Sequence, residues 1–259
     1  MILLITNGQA FLSEFIGTAV LILLGAGVVA NALLAKSKGQ GGGNLMINVG
    51  WGIAVMAGVY FAAPTGGQLN PAVTLGLAVG NAVQGRANDW GQIGVILLAQ
   101  FLGAFVGAVL CWLAYKQHYD AEPDPGLKLA TFATGPAIRN PLWNTVTEAI
   151  ATFVLVGWCL VSGMSGHVTV GGQAVAGMNY GYIGITMLII GLGASLGGPT
   201  GYAMNPARDL GPRIAHAVLP IKGKGDSDWG YAWVPIVGPM LGGTLAGLLI
   251  PLLYGSLIK

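Results

Sequence analysis

Two short stretches carry most of the polar chemistry that this sequence sets among apolar residues. One reads Pro64-Thr65-Gly66-Gly67-Gln68-Leu69-Asn70-Pro71-Ala72. The other reads Gly197-Gly198-Pro199-Thr200-Gly201-Tyr202-Ala203-Met204-Asn205-Pro206-Ala207-Arg208-Asp209. Asn caps the free backbone N–H groups at a helix start, and Pro at the first helical position has no N–H to leave unpaired. A helix is therefore predicted to begin at Asn70 and another at Asn205. One such site is an ordinary capped helix, but two copies in matching places ask for a shared role. The chemistry on offer is hydrogen bonding, not covalent catalysis. No nucleophile stands beside a base, and His118, His167 and His216 are scattered and form no metal set; His167 is a candidate for tuning a gate, ranked below a plain solvated loop histidine. Cys111 and Cys159 lie inside apolar runs and read as small packing residues. No enzyme, metal or cofactor is expected.

The elements that position these stretches belong to a membrane protein. Only 8% of the 259 residues are charged and 54% are hydrophobic, against roughly 25% charged in soluble domains, and the mean hydropathy is +0.71. At about 20 apolar residues per crossing the chain has room for roughly six helices. The 44 glycines suggest close helix packing and irregular backbone. A formal charge of +2 calls for no acidic partner and no nucleic acid. The amino terminus lacks a basic segment and a small-residue cleavage site, so it is expected to stay in the mature chain, with the first helix as insertion signal.

Crossings are predicted over about 11–34, 47–63, 91–115, 143–162, 180–196 and 229–257. Between them, Asn70 to about Val79 and Asn205 to about Val218 are too short to cross. Polar residues return after the first of these at Gln84 to Asp89, so each short piece enters and leaves by one face. A Pro-rich, charged loop, 117–142, divides the chain into repeats of about 10–116 and 143–257. Ser13-Glu14-Phe15-Ile16-Gly17-Thr18 aligns with Thr147-Glu148-Ala149-Ile150-Ala151-Thr152. Glu14 precedes Asn70 by 56 positions and Glu148 precedes Asn205 by 57. Three crossings per repeat invert the second relative to the first, so the amino ends of the two short helices meet near the bilayer centre. The expected fold is an all-α membrane protein with six transmembrane helices and two re-entrant half-helices, forming one domain over 1–259.

Irregular backbone survives at membrane depth only where it is buried in protein or lines a water-filled cavity, which predicts a pore or binding site between the repeats. Two half-helices aim roughly half an elementary charge each at its middle, repelling cations and protons. Neutral hydrogen-bonding solutes remain. Ionisable Glu14 and Glu148 inside the membrane read by default as functional, and a proton relay is one option. Their symmetric placement favours carboxylates that hold the broken loops.

Two Asn-Pro-Ala motifs in inverted repeats, the second continued by Arg208, resemble the aquaporin superfamily over nearly the whole chain. The resemblance implies a homotetramer with one pore per protomer, pore motifs at Asn70, Pro71, Ala72, Asn205, Pro206 and Ala207, and a selectivity filter of Trp51, Gly193, Tyr202 and Arg208. It also implies supporting roles for Gly66, Gly67, Gln68, Leu69, Gly201, Ala203, Glu14, Glu148 and Asp209. Asp209 followed by Arg213, Pro235-Ile236 in the last helix, and Gly193 where water-selective members have His resemble the glycerol-facilitator branch. Gly193 is expected to widen the constriction. Gln68 departs from the family's His, and Trp51 lies one residue nearer Asn70 than is usual, which suggests a shortened loop; Tyr202 adds a hydroxyl where Phe is common.

The resulting expectation is a passive channel for glycerol and other small neutral solutes, passing water and excluding ions and protons, in lipid of a bacterial inner (plasma) membrane. The alternatives are a water-selective aquaporin, a channel for small undissociated acids such as lactic acid, and, ranked lower, a secondary transporter. Charge bias and resemblance disagree on topology. Arg86 and Lys259 fall on the inferred cytoplasmic side against Lys36, Lys38, Lys128, Arg139, Lys222 and Lys224 on the other, whereas the resemblance implies an inward amino terminus.

Overall fold

A computed structural model describes residues 5–165, 169–170, 173–174 and 181–254. The amino-terminal residues 1–4, His167, Tyr180 and the tail from 255, including Leu257 and Lys259, lie outside the described residues, so the readings made on them do as well. Ten α-helices follow in order among the described residues: α1 (Asn7–Leu33), α2 (Gly43–Phe61), α3 (Pro71–Val83), α4 (Trp90–Ala114), α5 (Lys116–Ala121), α6 (Pro125–Ala130), α7 (Pro141–Ser165), α8 (Gly181–Leu196), α9 (Pro206–Val218) and α10 (Val234–Tyr254). A two-residue antiparallel pair, β1 (Thr169–Val170) with β2 (Gln173–Ala174), lies between α7 and α8. Helices α1, α2, α4, α7 and α10 are long and apolar enough to cross a membrane; α8 is apolar but has only 16 residues.

Several boundaries differ from the sequence reading, each for a local reason. Helix α1 starts four residues early because Thr6 and Gln9 form a capping box, the Gln9 N–H donating to the Thr6 hydroxyl and the Thr6 N–H to Gln9 Oε1. Loop 117–142 contains α5 and α6; Asp124 caps the latter and Pro125 occupies its first position. Helix α10 begins at Val234 rather than 229, because 229–233 form turns. Helix α7 opens on Asn140-Pro141, a third Asn-Pro, where the Trp143 N–H donates to Asn140 Oδ1 at 3.3 Å. The dipeptide here is a plain helix cap, the ordinary reading that one pore motif alone would deserve.

The repeats interlock. Within each, the first helix packs along the last, α1 on α4 and α7 on α10. Across them, half-helix α3 lies on α10, α9 lies on α4, and α2 meets α8. Small residues set these distances. A Cβ on Gly103 would stand 2.4 Å from the Phe15 carbonyl oxygen, and one on Gly242 would stand 2.1 Å from the Ala149 carbonyl oxygen, which is the same contact in each repeat. Large apolar side chains such as Leu98, Leu102, Leu241 and Leu245 point outward, as a lipid-facing surface requires.

Candidate functional site

Each half-helix begins as its Asn-Pro predicts. The Asn70 side chain accepts from the Ala72 N–H at 2.9 Å, and that of Asn205 accepts from Ala207 at 3.0 Å and Arg208 at 3.1 Å. The free amide end of each Asn then crosses to the other repeat. Asn70 Nδ2 donates to the Met204 carbonyl at 2.8 Å, and Asn205 Nδ2 donates to the Leu69 carbonyl at 2.9 Å. The two tips are thus tied together by a reciprocal pair of buried hydrogen bonds. Pro71, Ala72, Pro206 and Ala207 are buried beneath them.

The backbone before each Asn is left-handed at matched places: Gly66, Gly67 and Leu69 in one loop, Gly201, Tyr202 and Met204 in the other. Leu69 has φ 55° and Met204 φ 48°, in a region that costs a non-glycine residue of order 1–3 kcal/mol. A carboxylate holds each loop there. Glu14 accepts from the Thr65 hydroxyl (2.5 Å), the Gln68 N–H (2.9 Å) and the Leu69 N–H (2.7 Å). Glu148 accepts from the Thr200 hydroxyl (2.6 Å), the Ala203 N–H (2.9 Å) and the Met204 N–H (2.8 Å). Both carboxylates are buried, with backbone N–H groups as partners, and among the described residues no chain of titratable groups such as a relay would need joins them.

Three cavities follow one another past the tips. One of about 400 Å³, beside loop 117–142, is lined by Asn48, Trp51, Gly193, Gly201, Tyr202 and Arg208 among others. A central one of about 90 Å³ shares Trp51, Tyr202 and Arg208 with it and is bounded by Asn70, Asn205, Leu69 and Ala203. A third, of about 310 Å³, shares Gly67, Gln68, Val73 and Cys159 with the central one and reaches Gly66 and Tyr182. The path is wide, narrow, then wide.

At the first narrowing the Arg208 guanidinium carbon lies 4.1 Å from the Trp51 ring centroid, and its Nη1 donates to the Phe132 carbonyl at 3.3 Å. Trp51 is seated against Gly25, where a Cβ would come within 2.1 Å of its ring. Gly193 does not simply leave open space. A Cβ there would lie 2.7 Å from Tyr202 Cζ and 2.7 Å from Asn48 Oδ1, so the Tyr202 ring and the Asn48 amide take up the room that the missing side chain gives. Gln68 offers its backbone to Glu14, while its side-chain oxygen is buried without a partner among the described residues.

Asp209 supports loop 117–142 rather than its own pore loop. It accepts from the Thr134 N–H (2.7 Å) and hydroxyl (2.6 Å) and pairs with Arg213 at 2.8 Å. Arg213, fully buried, also donates to the carbonyls of Ser227, Asp228 and Thr134.

The sequence reading missed Met204, Asn48, Gln100 and Thr134. Met204 was available from its alignment with Leu69, and Asn48 from its position one helical turn before Trp51. Gln100 donates to Glu14 and Thr74 from α4 and carries no local signal. Cys159, expected only to pack, lines the path. Among the described residues no His, Cys, Asp and Glu group could hold a metal ion.

Counterparts of the narrowing residues line its far side. The offset that carries Glu14 to Glu148 pairs Trp51, Val55 and Val59 of α2 with Ile185, Ile189 and Gly193 of α8. The offset that carries Asn70 to Asn205 pairs Gly67 with Tyr202 and Val73 with Arg208. Ile185, Val59, Gly67 and Val73 all border the central and third cavities. The molecule therefore holds two girdles on one scaffold, one built around Arg208 and the other around Val73.

Comparison with known proteins agrees with this architecture. Residues 2–250 match the family model described as Major intrinsic protein. The chain is 51% identical to glycerol uptake facilitator protein 3 of Lactiplantibacillus plantarum, covering 93% of this chain and 95% of that protein. It is 48% identical to a probable glycerol uptake facilitator protein of Thermotoga maritima (95% and 100% covered) and 47% identical to a glycerol uptake facilitator protein of Streptococcus pneumoniae (92% and 97%). The X-ray structure of the aquaglyceroporin from Plasmodium falciparum superposes with a TM-score of 0.77 at 28% identity, covering 98% of this chain and 99% of that one. With its paired half-helices and a family match across nearly its full length, this chain belongs to the major intrinsic protein family, the aquaporin superfamily.

Proposed function

We propose that residues 1–259 form one channel domain that conducts glycerol and other small neutral solutes passively, with water, across a bacterial cell membrane. The observation that carries this reading is the path itself: two half-helix tips cross-bonded at Asn70 and Asn205, and beside them a narrowing formed by Trp51, Tyr202 and Arg208. A linear polyol presents hydroxyls along one side and CH groups along the other. The guanidinium donors of Arg208 and the carbonyls of the left-handed loops suit the first, and the rings of Trp51 and Tyr202 suit the second. The two half-helix amino ends and the fixed charge of Arg208 make the middle hostile to cations and protons. Glu14 and Glu148 act as loop holders, and Asp209 with Arg213 anchors loop 117–142. The names of the bacterial relatives support glycerol as the solute. The homotetramer of the family resemblance belongs to this proposal, with lipid around it.

The test is stopped-flow light scattering of proteoliposomes under osmotic and glycerol gradients. Rapid flux of both glycerol and water is expected, and water flux without glycerol flux would sink the glycerol assignment. Gly193→His is expected to lower glycerol flux far more than water flux, since any side chain there meets Tyr202 and Asn48; equal loss of both would contradict the filter. Saturable uptake driven by an ion gradient would favour a transporter instead. Crosslinking in membranes that yields only monomer would remove the tetramer.

A further inference from the structure

We infer that Asn48 is a specificity-determining residue, forming with the Tyr202 hydroxyl a docking point for a solute hydroxyl at the mouth of the narrowing. The inference rests on the channel reading above and extends it to a residue outside the narrowing formed by Trp51, Tyr202 and Arg208.

Asn48 sits one turn before Trp51 on α2 and is 5% exposed. It lines the large cavity with Trp51, Gly193, Tyr202 and Arg208. No hydrogen bond engages its amide among the described residues, and neither amide atom is shut away from the cavity. Beside it stands a second unsatisfied group. Tyr202 is 9% exposed and its hydroxyl oxygen is buried without a partner among the described residues, the ring lying across Gly193 and Gly197. The two side chains converge on one glycine, since Asn48 Oδ1 and Tyr202 Cζ are equally close to where a Gly193 Cβ would be.

A buried hydroxyl without a partner and an adjacent idle amide favour a ligand that can satisfy both at once. An alcohol oxygen donates and accepts from a single atom. It can donate to Asn48 Oδ1 while accepting from the Tyr202 O–H, and the roles reverse if the amide is turned over. Urea divides these functions between separate atoms, its carbonyl only accepting and its amino groups only donating. The pair therefore favours polyols over urea at the step before Arg208. The phenol oxygen lies on the ring axis, so a swing of the whole Tyr202 side chain about χ1, not a turn of its ring, is what would bring the buried hydroxyl to the arriving solute.

The experiment measures glycerol and urea permeability of the purified full-length chain in proteoliposomes. Wild-type glycerol flux is read first, because its absence would overturn the channel reading itself rather than the role of Asn48. Asn48→Leu, similar in size but apolar, Asn48→Ala and Tyr202→Phe are each expected to lower the glycerol-to-urea ratio by about fivefold, the scale of one lost hydrogen bond. The double variant Asn48→Leu with Tyr202→Phe is expected to fall no further than the larger single effect, since both remove the same docked hydroxyl. An unchanged ratio in the Asn48 variants overturns the inference. So does a rise of both solutes in Asn48→Ala with a fall of both in Asn48→Leu, which would mark a purely steric role, or a double variant whose losses multiply. Asn48→Ala keeps the test alive should the leucine variant fail to fold.

Discussion

The girdle around Arg208 and the girdle around Val73 occupy equivalent places on a repeated scaffold, yet their side chains diverge completely. Trp51, Gly193, Tyr202 and Arg208 face one end of the central cavity; Ile185, Val59, Gly67 and Val73 face the other. The loop backbones are nearly interchangeable, with left-handed residues, a carboxylate and a crossed Asn in each. Behind the girdles the divergence continues. Arg208, Asp209 and Arg213 of α9 correspond to Val73, Thr74 and Ala78 of α3. Where the second repeat has a buried ion pair, the first has Gln100 bridging Thr74 and Glu14. Symmetry makes the frame, and departures from it set the two ends apart. On the proposed function, a solute is sorted at the end that holds Arg208 and passes a largely apolar wall at the other.

The largest break in this comparison should come from Arg213→Ala, which leaves Asp209 charged, buried and without its ion-pair partner. A loss of about 3–5 kcal/mol is expected, read as a fall in thermal midpoint and in yield of the purified protein. Importing the first repeat's residues together, Asp209→Thr with Arg213→Ala, should cost less than Arg213→Ala alone; a double variant worse than the single would mean that the ion pair has no substitute. Next in size, Gln100→Leu removes one donor from each of Glu14 and Thr74 and should cost about 2 kcal/mol, with glycerol flux kept within about twofold. A conductance change larger than the stability change would place Gln100 in the path.

Arg208→Val copies Val73 into the girdle around Arg208. Glycerol flux should survive, while sodium leak measured with a fluorescent indicator rises about tenfold, as expected when a fixed charge and its donors leave a narrow pore; an ion-tight variant would assign exclusion to the half-helix tips alone. The smallest effect belongs to Val73→Ala, expected to alter water and glycerol flux by less than about twofold. A selective loss of glycerol there would show that both girdles sort.

Much of this was legible in the sequence because it is local or repeated. Asn-Pro announces a helix start, the matched Glu-to-Asn spacings announce the repeat, and apolar length announces the crossings. What escaped is long-range. Gln100 reaches Glu14 across 86 positions and Thr134 reaches Asp209 across 75, and nothing near either residue advertises its partner. The Asn-Pro at Asn140 is locally like those of the half-helices, so only pairing with a second copy separates a plain cap from a crossed tip. Charge counting also leaves out what the loop cations are bonded to. Lys128 Nζ donates to the Lys222 carbonyl, Lys224 Nζ donates to three carbonyls at the end of α9, and Arg139 pairs with Asp228, so half of the cations opposing an inward amino terminus hold the fold together.

The crossed amides of Asn70 and Asn205 also set an order of assembly. Leu69 and Asn70 are synthesised long before Met204 and Asn205 exist to meet them, so a nascent chain that has inserted only its first repeat carries an unpaired carbonyl and an unpaired amide at membrane depth. Half-helix α3 also lacks α10, the surface on which it lies. The conduit closes into shape only when the last helices arrive. A chain cut after its first repeat lacks both the crossed bonds and the surface that seat α3, so the geometry of the tips belongs to the finished chain alone.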